Sequence, residues 1–158
     1  MAKKEGPKRV ILIGRSTAGK TTMCQYISQE ELQYHKTQTV QVIDERLIDT
    51  PGEYLESRRF RGSLTTTAAD ADIIVLVQDA TENGTMFWPA YASMFAKPAI
   101  GVVTKSDIAT EKQIDTAKKY LIMAGAQKLF VTSSVAGTGF DEFLEYLGYP
   151  RREQSTEA

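Results

Sequence analysis

Gly14-Arg15-Ser16-Thr17-Ala18-Gly19-Lys20-Thr21 decides how this chain is read. The run satisfies G-x-x-x-x-G-K-[ST] at every fixed position. A β-rich run, Arg9–Ile13, leads into it, and a helical pattern, Lys20–Leu32, leads out. Glycines let the backbone wrap closely, so that successive N–H groups converge on an anion at the positive end of the helix. In that setting Lys20 reaches the β- and γ-phosphates of a nucleotide and the Thr21 hydroxyl ligates Mg²⁺. Thr22 continues the same cradle.

Outward from this loop, short β-rich runs alternate with helical segments. The runs are Arg9–Ile13, Val40–Ile43, Arg46–Ile48, Ile73–Val77, Ala99–Val103 and Leu129–Thr132. The helical segments are Lys20–Leu32, Glu56–Ala69, Phe87–Phe95, Glu111–Ala124 and Phe140–Leu147. Uniformly apolar runs such as Ile73-Ile74-Val75-Leu76-Val77 suit strands covered on both faces. The alternation predicts an α/β fold with a six-stranded, mostly parallel sheet. The second and third runs are too close in sequence for a parallel crossover, so they should form a hairpin with one antiparallel edge strand. Asp107 to Thr110 offers caps for the Glu111 helix, and Gly125 follows its last turn.

Composition sets outer limits. The 158 residues, 42% apolar and 25% charged, suit one globular domain, with an ordered core over about 8–148 and short frayed ends. Nineteen basic residues against 20 acidic, net −1, lack the positive field that non-specific nucleic-acid binding needs. One cysteine, Cys24, and one histidine, His35, exclude an internal disulfide framework and a multi-histidine metal site. The longest aliphatic run, Ile73–Val77, is too short to cross a bilayer, and no secretory leader pattern is expected. These readings point to a cytoplasmic protein with no membrane partner.

Further motifs follow the first loop. Asp49-Thr50-Pro51-Gly52 closes the third run. An aspartate there holds Mg²⁺ through a bound water, and the Gly52 N–H is free of any side chain that would block a γ-phosphate. Thr37, with Thr39 as the alternative, lies in the intervening polar stretch, where a hydroxyl would complete the Mg²⁺ shell. Thr104-Lys105-Ser106-Asp107 follows the fifth run, and Thr132-Ser133-Ser134 the sixth.

Taken together and in order, these five motifs resemble those of the translation-factor-type, Ras-like GTPases, which implies the three-layer P-loop fold and a guanine nucleotide, GTP or GDP. The resemblance implies that Asp107 accepts from guanine N1–H and the 2-amino group. Lys105 would lay its stem along the base, and the Ser134 N–H, beside Ser133, would meet O6. Adenine lacks both donors, so Asp107 would discriminate strongly. Thr104 stands where the more frequent residue is Asn. Longer strings are similar to the EutP/PduV family of ethanolamine and propanediol utilisation, linked with bacterial microcompartments. These are Lys36-Thr37-Gln38, Asp49 through Tyr54, Val77-Gln78-Asp79-Ala80-Thr81, and Met94 through Pro98 with Ile100 through Lys105. The resemblance implies shell or lumen proteins as partners, and leaves two activities open, GTP hydrolysis and acetate kinase. A non-catalytic, nucleotide-gated interaction module is the third reading. No residue sets the oligomeric state.

The expected reacting groups are Lys20, Thr37, Gly52 and Glu53. Glu53 stands where many relatives carry a water-orienting Gln, and a carboxylate beside a γ-phosphate is repelled, so intrinsic hydrolysis should be slow. Arg58, Arg59 and Arg61 read as a solvated helix face or an arginine finger, and Arg15 as facing substrate or solvent. Phe87, Tyr91 and Phe95 read as one core-facing helical stripe, with Trp88 a docking element only if exposed.

Overall fold

The structure, a computed structural model, describes residues 8–15, 18–26, 47–49 and 61–148. Five strands form one sheet in the order β2-β1-β3-β4-β5. They are β1 (Val10–Ile13), β2 (Leu47–Asp49), β3 (Ile73–Asp79), β4 (Ala99–Thr104) and β5 (Leu129–Val131). All four pairings are parallel. The expected antiparallel edge run, Val40–Ile43, lies outside the described residues.

Every residue of β1, β3 and β4 is buried, which is why these runs carry no alternation of polar and apolar side chains. Helices cover both faces. On one face Val10, Leu12, Val75 and Val102 pack against Met23 of α1 (residues 20–26) and against Phe140, Phe143 and Leu144 of α4 (Phe140–Tyr146). On the other, Ile11, Ile13, Ile74 and Val103 pack against Leu64 and Ala68 of α2 (Arg61–Ala68) and against Ala117, Leu121 and Ala124 of α3 (Glu111–Ala124). This is a three-layer α/β sandwich. No helix among the described residues is long and apolar enough to cross a membrane.

One expected helix is corrected. Phe87, Tyr91 and Phe95 are buried, but of the segment Phe87–Phe95 only Tyr91–Met94 is helical, as a short 3₁₀ turn. Pro89 has no N–H to donate, and Ala90 takes a left-handed conformation, φ +61°, with its N–H bonded to the Met123 carbonyl at 2.7 Å. The stripe packs through edge-on rings, Tyr91 against Phe87, Trp88 and Phe95, rather than through a regular helix. Trp88 keeps 37% exposure at the rim of this cluster.

The start of α3 is fixed locally. The Thr110 hydroxyl accepts from the Gln113 N–H while the Gln113 side chain accepts from the Thr110 N–H, a complete capping box. Thr110→Ala should therefore lower stability by about 1 kcal/mol, read from the urea midpoint at unchanged slope.

Candidate functional site

In a parallel sheet, ligands gather at the carboxyl ends of the strands, where the strand order reverses. Here the order reverses between β1 and β3, and the loop from Gly14 leaves β1 at that point. Gly14 is pressed against β3: a Cβ there would sit 2.7 Å from the Val77 carbonyl oxygen. Any side chain would push the loop off the sheet. Gly19, at φ +97°, turns the chain into α1.

Lys20 is buried, 4% exposed, and its Nζ donates to the carbonyls of Gly14 (2.7 Å) and Arg15 (2.8 Å). An ammonium is thus seated at the mouth of the loop. Thr21 and Thr22 are exposed in the first turn of α1. The Arg15 guanidinium turns aside to Glu82, 2.9 Å away, and the Glu82 carboxylate also accepts from the Gln78 amide at 3.3 Å. Asp49 ends β2 and pairs in register with Leu12, two residues before Gly14. Thr21, in the first turn of the helix that follows β1, and Asp49, at the end of the adjacent β2, thus follow the carboxyl ends of neighbouring strands.

The motif after β4 reaches the same loop. Thr104 is buried, and its hydroxyl donates to the Ala18 carbonyl at 2.7 Å, tying the end of β4 to the turn into α1. Lys105 follows in a left-handed conformation, φ +64°, with its Nζ 2.9 Å from Asp79 Oδ2. Asp107 is exposed, and its Oδ1 accepts from the Ser133 hydroxyl at 2.7 Å. Ser133 is fully buried and its oxygen also accepts from the Ala136 N–H at 3.0 Å. Further main-chain bonds hold this turn: Ser106 N–H to Thr132 O at 3.2 Å and Ser133 N–H to Thr138 O at 3.1 Å. The turn closes on Gly139, φ +83°, where a Cβ would lie 2.0 Å from the Val131 carbonyl oxygen. Ser134 sits half-buried beside it.

The structure thus brings together Gly14, Arg15, Ala18, Gly19, Lys20, Thr104, Lys105, Asp107, Ser133 and Ser134 at one rim. Ser16, Thr17, Thr37, Thr39, Gly52, Glu53, Arg58 and Arg59 lie outside the described residues, as does the side chain of Asp49. Asp79 carried no role in the motif reading. In the sequence it stands only within the string Val77-Gln78-Asp79-Ala80-Thr81 and as an acid closing an apolar run.

Burial pushes the Asp79 carboxyl up, but hydrogen bonds from Thr81 and from Lys105, with the ammonium's charge, outweigh it and hold the group below its ordinary value.

The fold is that of GTPase G-domains. It superposes on the translation elongation factor SelB from Methanococcus maripaludis, in complex with the GTP analogue GppNHp, with a TM-score of 0.63 at 19% identity. That match covers 92% of this chain and 34% of SelB. On the FeoB G-domain from Methanococcus jannaschii the TM-score is 0.60 at 18% identity, over 90% of this chain and 96% of that one. At the level of sequence, a profile of the PduV-EutP family, described as "Ethanolamine utilisation - propanediol utilisation", matches residues 7–149. "Propanediol utilization protein PduV" from Citrobacter freundii is 44% identical over 140 residues, 89% of this chain and 93% of its own length. "Probable acetate kinase EutP" from Escherichia coli K12 is 28% identical, over 89% of each chain. This chain belongs to the PduV-EutP family.

The lowered Asp79 titration has a definite sign. A carboxyl depressed in the folded state contributes stability above its unfolded value of about 3.9, and loses it as pH falls through the folded value. Asp79→Asn should be less stable than the parent at pH 7, and the gap should narrow as pH falls below about 4, measured by urea unfolding across pH.

Proposed function

We propose that this chain binds a guanine nucleotide with Mg²⁺ at the rim described above and hydrolyses GTP slowly. The observation that carries this reading is the joining of two half-sites. A buried Lys20 in a glycine-bounded loop is linked, through Thr104 and Ala18, to an Asp107 aimed by Ser133. On the exposed Asp107, Oδ2 and the second lone pair of Oδ1 suit the two adjacent N–H donors of guanine, a pair that adenine lacks.

The donor set also fits Mg²⁺. Thr21 offers a hydroxyl in the first turn of α1 and Asp49 a carboxylate from the adjacent strand end, both hard oxygen ligands. Held by these oxygens, Mg²⁺ would supply charge neutralisation. Lys20, released from the Gly14 and Arg15 carbonyls, would meet the same phosphates, and the loop N–H groups would hold them in line. Thr37, Gly52 and Glu53 would respond to the third phosphate, which makes the chain a switch or accessory factor. The family description, ethanolamine and propanediol utilisation, supports a role in that setting. On this reading the chain works in the cytoplasm at a bacterial microcompartment, with shell or lumen proteins as partners.

A second reading rests on the EutP relative, whose name is that of an acetate kinase. The same cradle would then pass the γ-phosphoryl to an acetate oxygen, because phosphoryl transfer is chiefly positioning and charge neutralisation. One assay separates the readings. With Mg²⁺ and GTP or ATP, with and without acetate, the expected product is phosphate from GTP, independent of acetate. Acetyl phosphate appearing only with acetate would establish the kinase instead, and tight binding without turnover a non-catalytic module. In titrations with fluorescent GDP, Asp107→Asn should weaken binding at least about tenfold with the melting temperature retained. Lys20→Ala should remove measurable binding.

A further inference from the structure

The end of β3 carries a carboxylate that neither the phosphate loop nor the base motif uses. Asp79 is the last residue of a strand buried along its whole length, and is itself 7% exposed. A carboxylate so placed has lost most of its hydration and persists only with matched donors. Both of its oxygens have them. Oδ1 accepts from the Thr81 N–H and from the Thr81 hydroxyl, each at 2.7 Å. Oδ2 lies 2.9 Å from Lys105 Nζ. The carboxylate is therefore locked from behind by Thr81 and presents one oxygen forward.

What it holds is the residue that the base reading needs. Lys105 stands at φ +64°, a conformation a long side chain seldom adopts, directly after the Thr104 that grips the phosphate loop. Asp79 pairs in register with Thr104, and the Ala80 N–H bonds the Thr104 carbonyl at 3.0 Å. The two strand ends are thus fixed against each other by main chain, and the Asp79–Lys105 pair extends that fixing to a flexible side chain. Lys105 is 37% exposed and Asp79 9% at the side chain, so one face of the pair opens to the rim and the other is shielded.

Resting on the guanine-nucleotide reading above, we propose that Asp79, backed by Thr81, is a positioning residue for the base pocket. It clamps the Lys105 ammonium so that the lysine stem is laid in place beside Asp107 before nucleotide arrives. Besides the stability it contributes at neutral pH, the pair acts on binding. Its effect is to order a four-carbon side chain in advance, which shows mainly as slower dissociation of the ligand.

The test uses the full chain, fluorescent GDP, and Asp79→Asn, Lys105→Met and the double variant. Expected are an affinity loss of about tenfold for Asp79→Asn, carried by faster dissociation, and almost no further loss when the same substitution is made on Lys105→Met. Equal losses in the two lysine backgrounds, or a lowered melting temperature with unchanged affinity, would overturn the clamp. If the parent chain binds neither GDP nor GTP, the underlying base reading fails first, visibly, before any substitution is compared. Should Asp79→Asn not fold, Thr81→Val retains the charge and removes one donor. About a threefold loss confined to the Lys105 background then supports the clamp, and unchanged affinity sinks it.

Discussion

Parallel strands deliver their carboxyl ends to the same side of a sheet, and the candidate site depends on that alignment. β1, β2, β3, β4 and β5 run one way, so Gly14, Asp49, Asp79, Thr104 and Thr132 all emerge at one rim although they span most of the chain. Burial enforces the alignment. β3 and β4 are apolar up to their last one or two residues, where Gln78, Asp79 and Thr104 are still buried and each is hydrogen-bonded or ion-paired. Polar chemistry is concentrated at the rim for the same reason that the interior excludes it.

Within that rim the two halves are not independent. The Thr104 hydroxyl spans from the β4 end to the Ala18 carbonyl, and a hydroxyl is short, so its bond draws the backbones close. Asp107 is aimed by Ser133, which is fixed by the turn that Gly139 closes. Asp107 is thus oriented by a buried partner that follows a different strand, while Lys20 is held by carbonyls of its own loop. Such support holds a constellation within the tolerances that recognition requires.

Much of this was legible in the chain itself, for identifiable reasons. The loop after β1 is a local motif whose glycines act through their own backbone: Gly14 is pressed against β3 and Gly19 is left-handed, at the positions the pattern gives them. The α3 boundaries, Glu111–Ala124, coincide with expectation because a capping box and a C-cap glycine mark both ends. The aromatic stretch misled, since Phe87, Tyr91 and Phe95 recur at helical spacing and are indeed buried, while Pro89 and Ala90 break the backbone that would carry them. Asp79 and Ser133 were opaque in their detail: each acts through a partner 26 residues away, Lys105 and Asp107 respectively, which no spacing rule reveals.

The seating of Lys20 on the carbonyls of Gly14 and Arg15 bears on how any anion would be held there. Two carbonyl dipoles of the loop solvate an ammonium that burial would otherwise leave short of hydrogen-bond acceptors. On the proposed reading, an anion entering the loop would compete with these carbonyls for one ammonium. The affinity measured for a ligand is then a difference between two sets of contacts to one ammonium, so loosening the carbonyl contacts would tighten the ligand without touching it.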